Sequence, residues 1–384
     1  MKKALLLLVL VLSASGAFGV GDQAYLGMFA ETSVMKIPGM PAVPALPPGM
    51  DMEKMSKLPG MEQMLSMGAP KRTFTIRLWS PGLAPPSASA YVTPPAGLKQ
   101  GDRLDLEIYR PEAAKAEGPT EGKEVKPSPS EIEFTIKYYW GSSETVKPGQ
   151  PKVIKLGSLT SEQKRTMGDA RKRSGPGESY FYKPDWTTAY WPTSKQPGRI
   201  AKDASLVGAF SLTTNYTGNV TIDCPSNVDF LAPIEMVSPA LDEQINLDEA
   251  IKFVWKPIPN LLGSHAMITG FEGRNTMIIW LSSEVWREDV MSVDWGFLQM
   301  AEVLQYVQDK IMMKGDRTDV TVPAGIFKKC DMSNFRMTGY GPGAARDKTQ
   351  PIPRIQTKTT LNIMLGGKGM PGMQEGTGEG QVPE

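Results

Sequence analysis

Short runs in which apolar and polar residues alternate, broken at close intervals by glycine or proline, restrict this chain more than any other feature. Arg72 to Trp79 puts Phe74, Ile76 and Leu78 on one face. Arg103 to Tyr109 turns Leu104, Leu106 and Ile108 inward, and Glu131 to Trp140 does the same through Ile132, Phe134, Ile136 and Tyr138. A period of two over such lengths is the signature of a half-buried strand. Ser89–Thr93, Leu206–Thr214, Gly218–Cys224, Ile251–Pro257, Ala266–Phe271, Thr276–Ser282, Asp319–Val322, Phe335–Gly339 and Thr359–Leu365 are further candidates. The 38 glycines and 33 prolines in 384 residues favour turns and spacers over long helices. The expected fold is mainly β: two β-sandwich-like domains with one or two inserted helices and flexible termini.

The first domain spans 71–228. Within it, residues 111–130 are charged and proline-rich, too poor in apolar groups to order themselves. Thr160 and Gln163 start a short helix over 160–173. The second domain spans 229–365 and holds a helix over 296–313, where Phe297, Ala301, Leu304, Val307 and Ile311 form one apolar stripe. A glycine-rich disordered tail covers 366–384. Residues 21–70 form a Met/Pro/Gly-rich flexible arm, since the prolines between Ile37 and Met50 suit neither a helix nor a central strand.

Residues 1–20 read as a secretory signal peptide. Lys2 and Lys3 precede an apolar run from Ala4 to Leu12, and small residues lead to a cleavage site at Ala17-Phe18-Gly19. The run is far short of the roughly twenty residues that span a bilayer. The expected address is the periplasm or the cell surface, with no integral membrane segment after cleavage. Net charge falls from +1 to −1 when Lys2 and Lys3 leave. Such a balance lacks the basic field that nucleic acid calls for.

Pro239, Asn246 and the stretch Ile251-Lys252-Phe253-Val254-Trp255-Lys256-Pro257 resemble the opening of fibronectin type III and related Ig-like bacterial modules. The likeness covers about residues 239–290. It implies a sandwich with Trp255 as the core tryptophan of its second strand, and it implies no activity.

Chemistry-bearing patterns are sparse. His265 is the single histidine, and no Gly-x-Ser-x-Gly elbow or phosphate-binding glycine loop accompanies it. It reads as a packing or surface residue, and the chain as no enzyme. Asp242, Glu243 and Asp248 read as a solvated loop, and Lys164, Arg165, Arg171, Lys172 and Arg173 as a solvated helix face. Cys224 and Cys330 either form a disulfide or act as small core hydrophobes. Met52, Met55, Met61, Met64 and Met67 are spaced as thioether ligands for Cu(I) or Ag(I); the competing reading is an adaptable apolar segment. Tyr182, Trp186, Tyr190 and Trp191 offer rings that would stack on sugars, or that close a core. The leading expectation is an exported, non-enzymatic binding or structural protein of the cell envelope. Its partner would be an envelope protein or polysaccharide. A soft-metal binder and a carbohydrate binder are the alternatives.

Overall fold

A computed structural model describes residues 23–37, 69–110, 134–155, 186–241, 245–288, 293–330 and 332–367. Before residue 230 these form β1 (Tyr25–Lys36), β2 (Lys71–Ser80), β3 (Ala90–Thr93), β4 (Leu104–Asp105), β5 (Glu107–Tyr109), β6 (Thr135–Trp140), β7 (Lys152–Lys155), β8 (Thr187–Trp191), β9 (Gly208–Thr214) and β10 (Val220–Cys224). Then come β11 (Met236–Ser238), β12 (Ile251–Trp255), β13 (Gly263–Glu272), β14 (Thr276–Leu281) and the helix α1 (Met300–Gln308). The remaining strands are β15 (Met313–Lys314), β16 (Asp319–Val322), β17 (Met332–Tyr340), β18 (Ala344–Ala345) and β19 (Ile352–Gly367). The protein is mainly β, with several sheets.

Twelve strands make one large sheet in the order β5-β8-β2-β1-β19-β17-β13-β14-β6-β7, with β15 on β13 and β18 on β19. Two small sheets, β10-β9-β3-β4 and β11-β12-β16, complete the set. At the centre β1 runs parallel to β19 from Tyr25↔Ile352 to Lys36↔Ile363. This differs from the expected arm over 21–70, because that segment opens with a central strand. Leu26, Met28, Ala30, Thr32 and Val34 alternate inward, and the prolines begin only beyond Ile37. The rest of the segment, 38–68, lies outside the described residues, as do 1–22, 111–133, 156–185 and 368–384, where the leader, the charged loop, the 160–173 helix and the tail were expected. Strands from the two expected domains also mix: β6 pairs in parallel with β14. Such long-range pairing leaves no mark on local periodicity.

One face of the large sheet carries two cores. Leu26, Met28 and Ala30 of β1 and Phe74, Ile76 and Leu78 of β2 pack with Val92, Phe210, Leu212 and Ile222 of the four-stranded sheet. Further along the same strands, Val34, Leu361, Ile363 and Leu365 join Ile268, Phe335 and Met337 against Phe253, Trp255, Val320 and Val322. Trp255 is buried in the second core. Between the cores lies a polar belt. Thr32 Oγ1 donates to the Leu231 carbonyl (2.8 Å), and Thr357 Oγ1 donates to the Pro342 carbonyl (2.8 Å). Leu231 belongs to the chain crossing from one small sheet to the other, so Thr32 pins that crossing. A Cβ at Gly341 would come within 2.6 Å of Thr357 Oγ1 and 2.7 Å of Leu231 Cδ2, so only glycine fits there.

The opposite face is covered by α1 and its flanks. The helix is shorter than the expected 296–313, and its buried stripe is different. Glu302 accepts a hydrogen bond from the Gln299 amide (2.8 Å), which fixes the helix start after Phe297. Phe297 and Ile311 therefore lie outside α1 and do not set its phase. Val303, Tyr306 and Val307 pack with Leu262, Leu298, Met312 and Tyr340, while Ala301 and Leu304 are exposed.

Candidate functional site

The residues singled out in the sequence separate in space. Met52, Met55, Met61, Met64, Met67 and Tyr182 lie outside the described residues. Trp186 and Trp191 are only 4% and 1% exposed. Trp191 sits against Phe74 in the first core (6.2 Å between ring centres), and Trp186 joins Tyr25 and Trp79 on the opposite face. Both rings close cores, so the expected sugar-stacking platform is not assembled from them; β8 points Thr187, Ala189 and Trp191 inward by its alternation. Tyr190 is half-buried under the Arg77 guanidinium, 5.4 Å from its ring centre.

Cys224 and Cys330 are not bridged. The first belongs to one core and the second to the other, so of the two readings it is the pair of core thiols that this arrangement matches. Cys224 Sγ donates to the Val228 carbonyl (3.2 Å), and burial pushes its thiol up to about 12. Such a thiol is inert at neutral pH. Asp242 and Glu243 lie outside the described residues, and Asp248 is exposed.

His265 is a packing residue. Its ring stacks flat on Trp295, 3.6 Å between centres and 3° between planes. Burial, aided by the Arg336 charge, pushes its pKa down to about 3. The imidazole is thus neutral across the physiological range.

Among the described residues, a concave site with several charged groups lies elsewhere. Between the large sheet and the turn that follows β16 lies a cleft of about 340 Å³. Its floor comes from one sheet face. Lys137 and Tyr139 of β6, Ile278 of β14 and Glu272 at the end of β13 share that face by strand alternation and register. Its roof is the segment 324–329, and Val146 closes one side. Two features hold the roof. Ala324 N–H donates to the Glu144 carbonyl (2.9 Å), and Gly325 takes φ +75°, which favours glycine.

Three lysines line the cleft, and two of them face its one carboxylate. Lys137 Nζ donates to Glu272 Oε2 at 2.9 Å, and Lys329 Nζ lies 3.5 Å from Oε1. The Lys137 hydrogen bond, above all, holds the Glu272 carboxyl below its ordinary range. Lys328 makes no ion pair with a described residue, so the cleft carries a surplus of positive charge. Burial raises the Tyr139 phenol, which feels Lys137 and Glu272 in opposite senses and stays protonated as a donor. Val146, Ile278, Ala324 and Ile326 give the cleft apolar walls. The arrangement suits binding of a negatively charged group beside hydrocarbon. No spacing in the sequence points to it, because its residues come from five separate segments.

Compared with known proteins, the chain matches no family model and no curated relative.

Proposed function

We propose that this chain is an exported, non-enzymatic binding protein of the cell envelope. It is built as two β-sandwich-like units that share one large sheet, and it holds its partner in the lysine-walled cleft over β6, β13 and β14. The cleft carries the reading: a concave space of about 340 Å³ with apolar walls and a few convergent polar groups has the form of a ligand site. The leader-like residues 1–20 supply the address, and the near-zero net charge supports selective recognition over bulk attraction to polyanions.

Two measurements test it. Amino-terminal sequencing of the protein recovered outside the cytoplasm should show processing near Gly19; a chain retained inside the cell with Met1 intact overturns the export. Co-sedimentation of the full chain with envelopes of its source cells tests the cleft. Ala324 is exposed, so Ala324→Trp fills the cleft mouth without disturbing a core. The variant should keep its melting temperature and lose co-sedimentation. Equal sedimentation of both proteins, or of neither, rules the cleft out as the binding site.

A further inference from the structure

We infer, resting on the reading of the cleft as the binding site, that its ligand is a small amphiphilic anion: one carboxylate or phosphate head on a short hydrocarbon body. The head is assigned by charge. The single negative charge of Glu272 is already shared by Lys137 on one oxygen and Lys329 on the other, so the three lysines of the cleft outnumber its one carboxylate. An incoming anion meets Lys328 without breaking an ion pair to a described residue. It then competes with Glu272 for Lys329, held at 3.5 Å, more readily than for Lys137, held at 2.9 Å. A cationic ligand would meet a surplus of like charge. A neutral one would cover Lys328 without compensating it, which costs desolvation and returns nothing. The body is assigned by the walls: Val146, Ile278, Ala324 and Ile326 present hydrocarbon, and Tyr139 adds a ring with a donor at its rim. The volume is at the small end of ligand sites, which limits the body to one ring or a short chain.

The test titrates the full chain with phenyl phosphate, benzoate and benzamide, read by calorimetry and by protein NMR shifts. Both anions, or one of them, should bind at least about tenfold more tightly than benzamide, since one charge-assisted contact is worth about that factor. The stronger of the two names the head group. Lys328→Gln, on an exposed side chain, should keep its melting temperature and weaken the anion about tenfold. Affinity should fall as salt rises. If all three compounds bind alike and Ala324→Trp abolishes them all, the anion assignment is wrong although the cleft binds. If the anions bind equally well to Ala324→Trp, or no compound binds, the proposed ligand class fails; the co-sedimentation experiment then judges the cleft separately.

Discussion

The two halves of the large sheet carry cores on the same face, and they are closed differently. Over β8, β2 and β1 the cover is a sheet of four strands, and the rings of Phe74, Trp191 and Phe210 fill the space beneath it. Nearby ion pairs such as Lys99–Asp203 and Arg103–Asp105 are exposed, of a kind worth little. Over β17, β13 and β14 the cover has three strands, with Phe253 stacked on Phe335 (4.2 Å between ring centres) beside Trp255 and Trp280. There the last stretch of cover, over β6, is the turn 324–329. A strand seals a sheet face with regular side chains, whereas a turn leaves room. The charged cleft lies in the half whose cover is incomplete.

The strongest way to break this comparison is to remove one large ring from each half. Trp280 is fully buried and its Nε1 donates to the Gly141 carbonyl (3.0 Å). Trp280→Ala should cost about 3–5 kcal/mol in urea unfolding, and Trp191→Ala in the other half a similar amount. Since β1 and β19 serve both cores, each variant should lower one common transition. Two transitions, only one of them shifted by each variant, would mean that the halves fold independently. The Trp191 result also weighs packing against sugar stacking, because a binding ring could be removed with little loss of stability.

The opposite face of the second half should respond to pH. The unfolded chain protonates His265 below about pH 6.5, while the folded one resists until about 3. The unfolded state therefore binds more protons in between, and stability falls on acidification by about 1.4 kcal/mol per unit. Between about pH 7 and about pH 5 the loss should reach about 2 kcal/mol, and His265→Phe, which keeps a ring on Trp295, should abolish that slope. Glu272 contributes separately. Its lowered pKa stabilises the fold above the ordinary carboxylate range and is lost only as pH falls below it. A wild-type slope that survives in His265→Phe would show that the ring is not the titrating group.

The belt between the halves should give a smaller effect. Thr32→Val keeps the shape and removes the donor to Leu231, leaving a buried carbonyl without it. The expected loss is about 1–2 kcal/mol by urea unfolding. No measurable loss would mean that the crossing is held by packing alone.

Strands were legible wherever alternation was clean. β2, β10, β12, β14 and β16 fall within a residue or two of their expected ends. β1 was concealed by its context: Leu26 to Val34 alternates, but Thr32 occupies an inward position, Phe29 an outward one, and prolines follow closely. β8 was concealed by its aromatic content, which pointed to a ring platform although Thr187, Ala189 and Trp191 alternate. The cleft was not legible at all. Lys137 and Glu272 are 135 residues apart and meet only because β14 pairs with both β13 and β6.

Helix α1 offers the finest test of what covers the second half. The apolar stripe in the sequence makes Leu304 a core residue, yet it is 49% exposed, while Val303 is 1% exposed among Leu298, Met312 and Tyr340. Adjacent residues on a helix point about 100° apart, so the two assignments exclude each other. Leu304→Glu should change stability by less than about 0.5 kcal/mol, as surface substitutions do. Val303→Ala, which removes two buried methyl groups, should cost about 1–2 kcal/mol. The order would invert if Phe297 and Ile311 belonged to the helix and set its phase. It holds if the helix begins where Glu302 caps Gln299, because that start turns Val303 towards the sheet and Leu304 away from it.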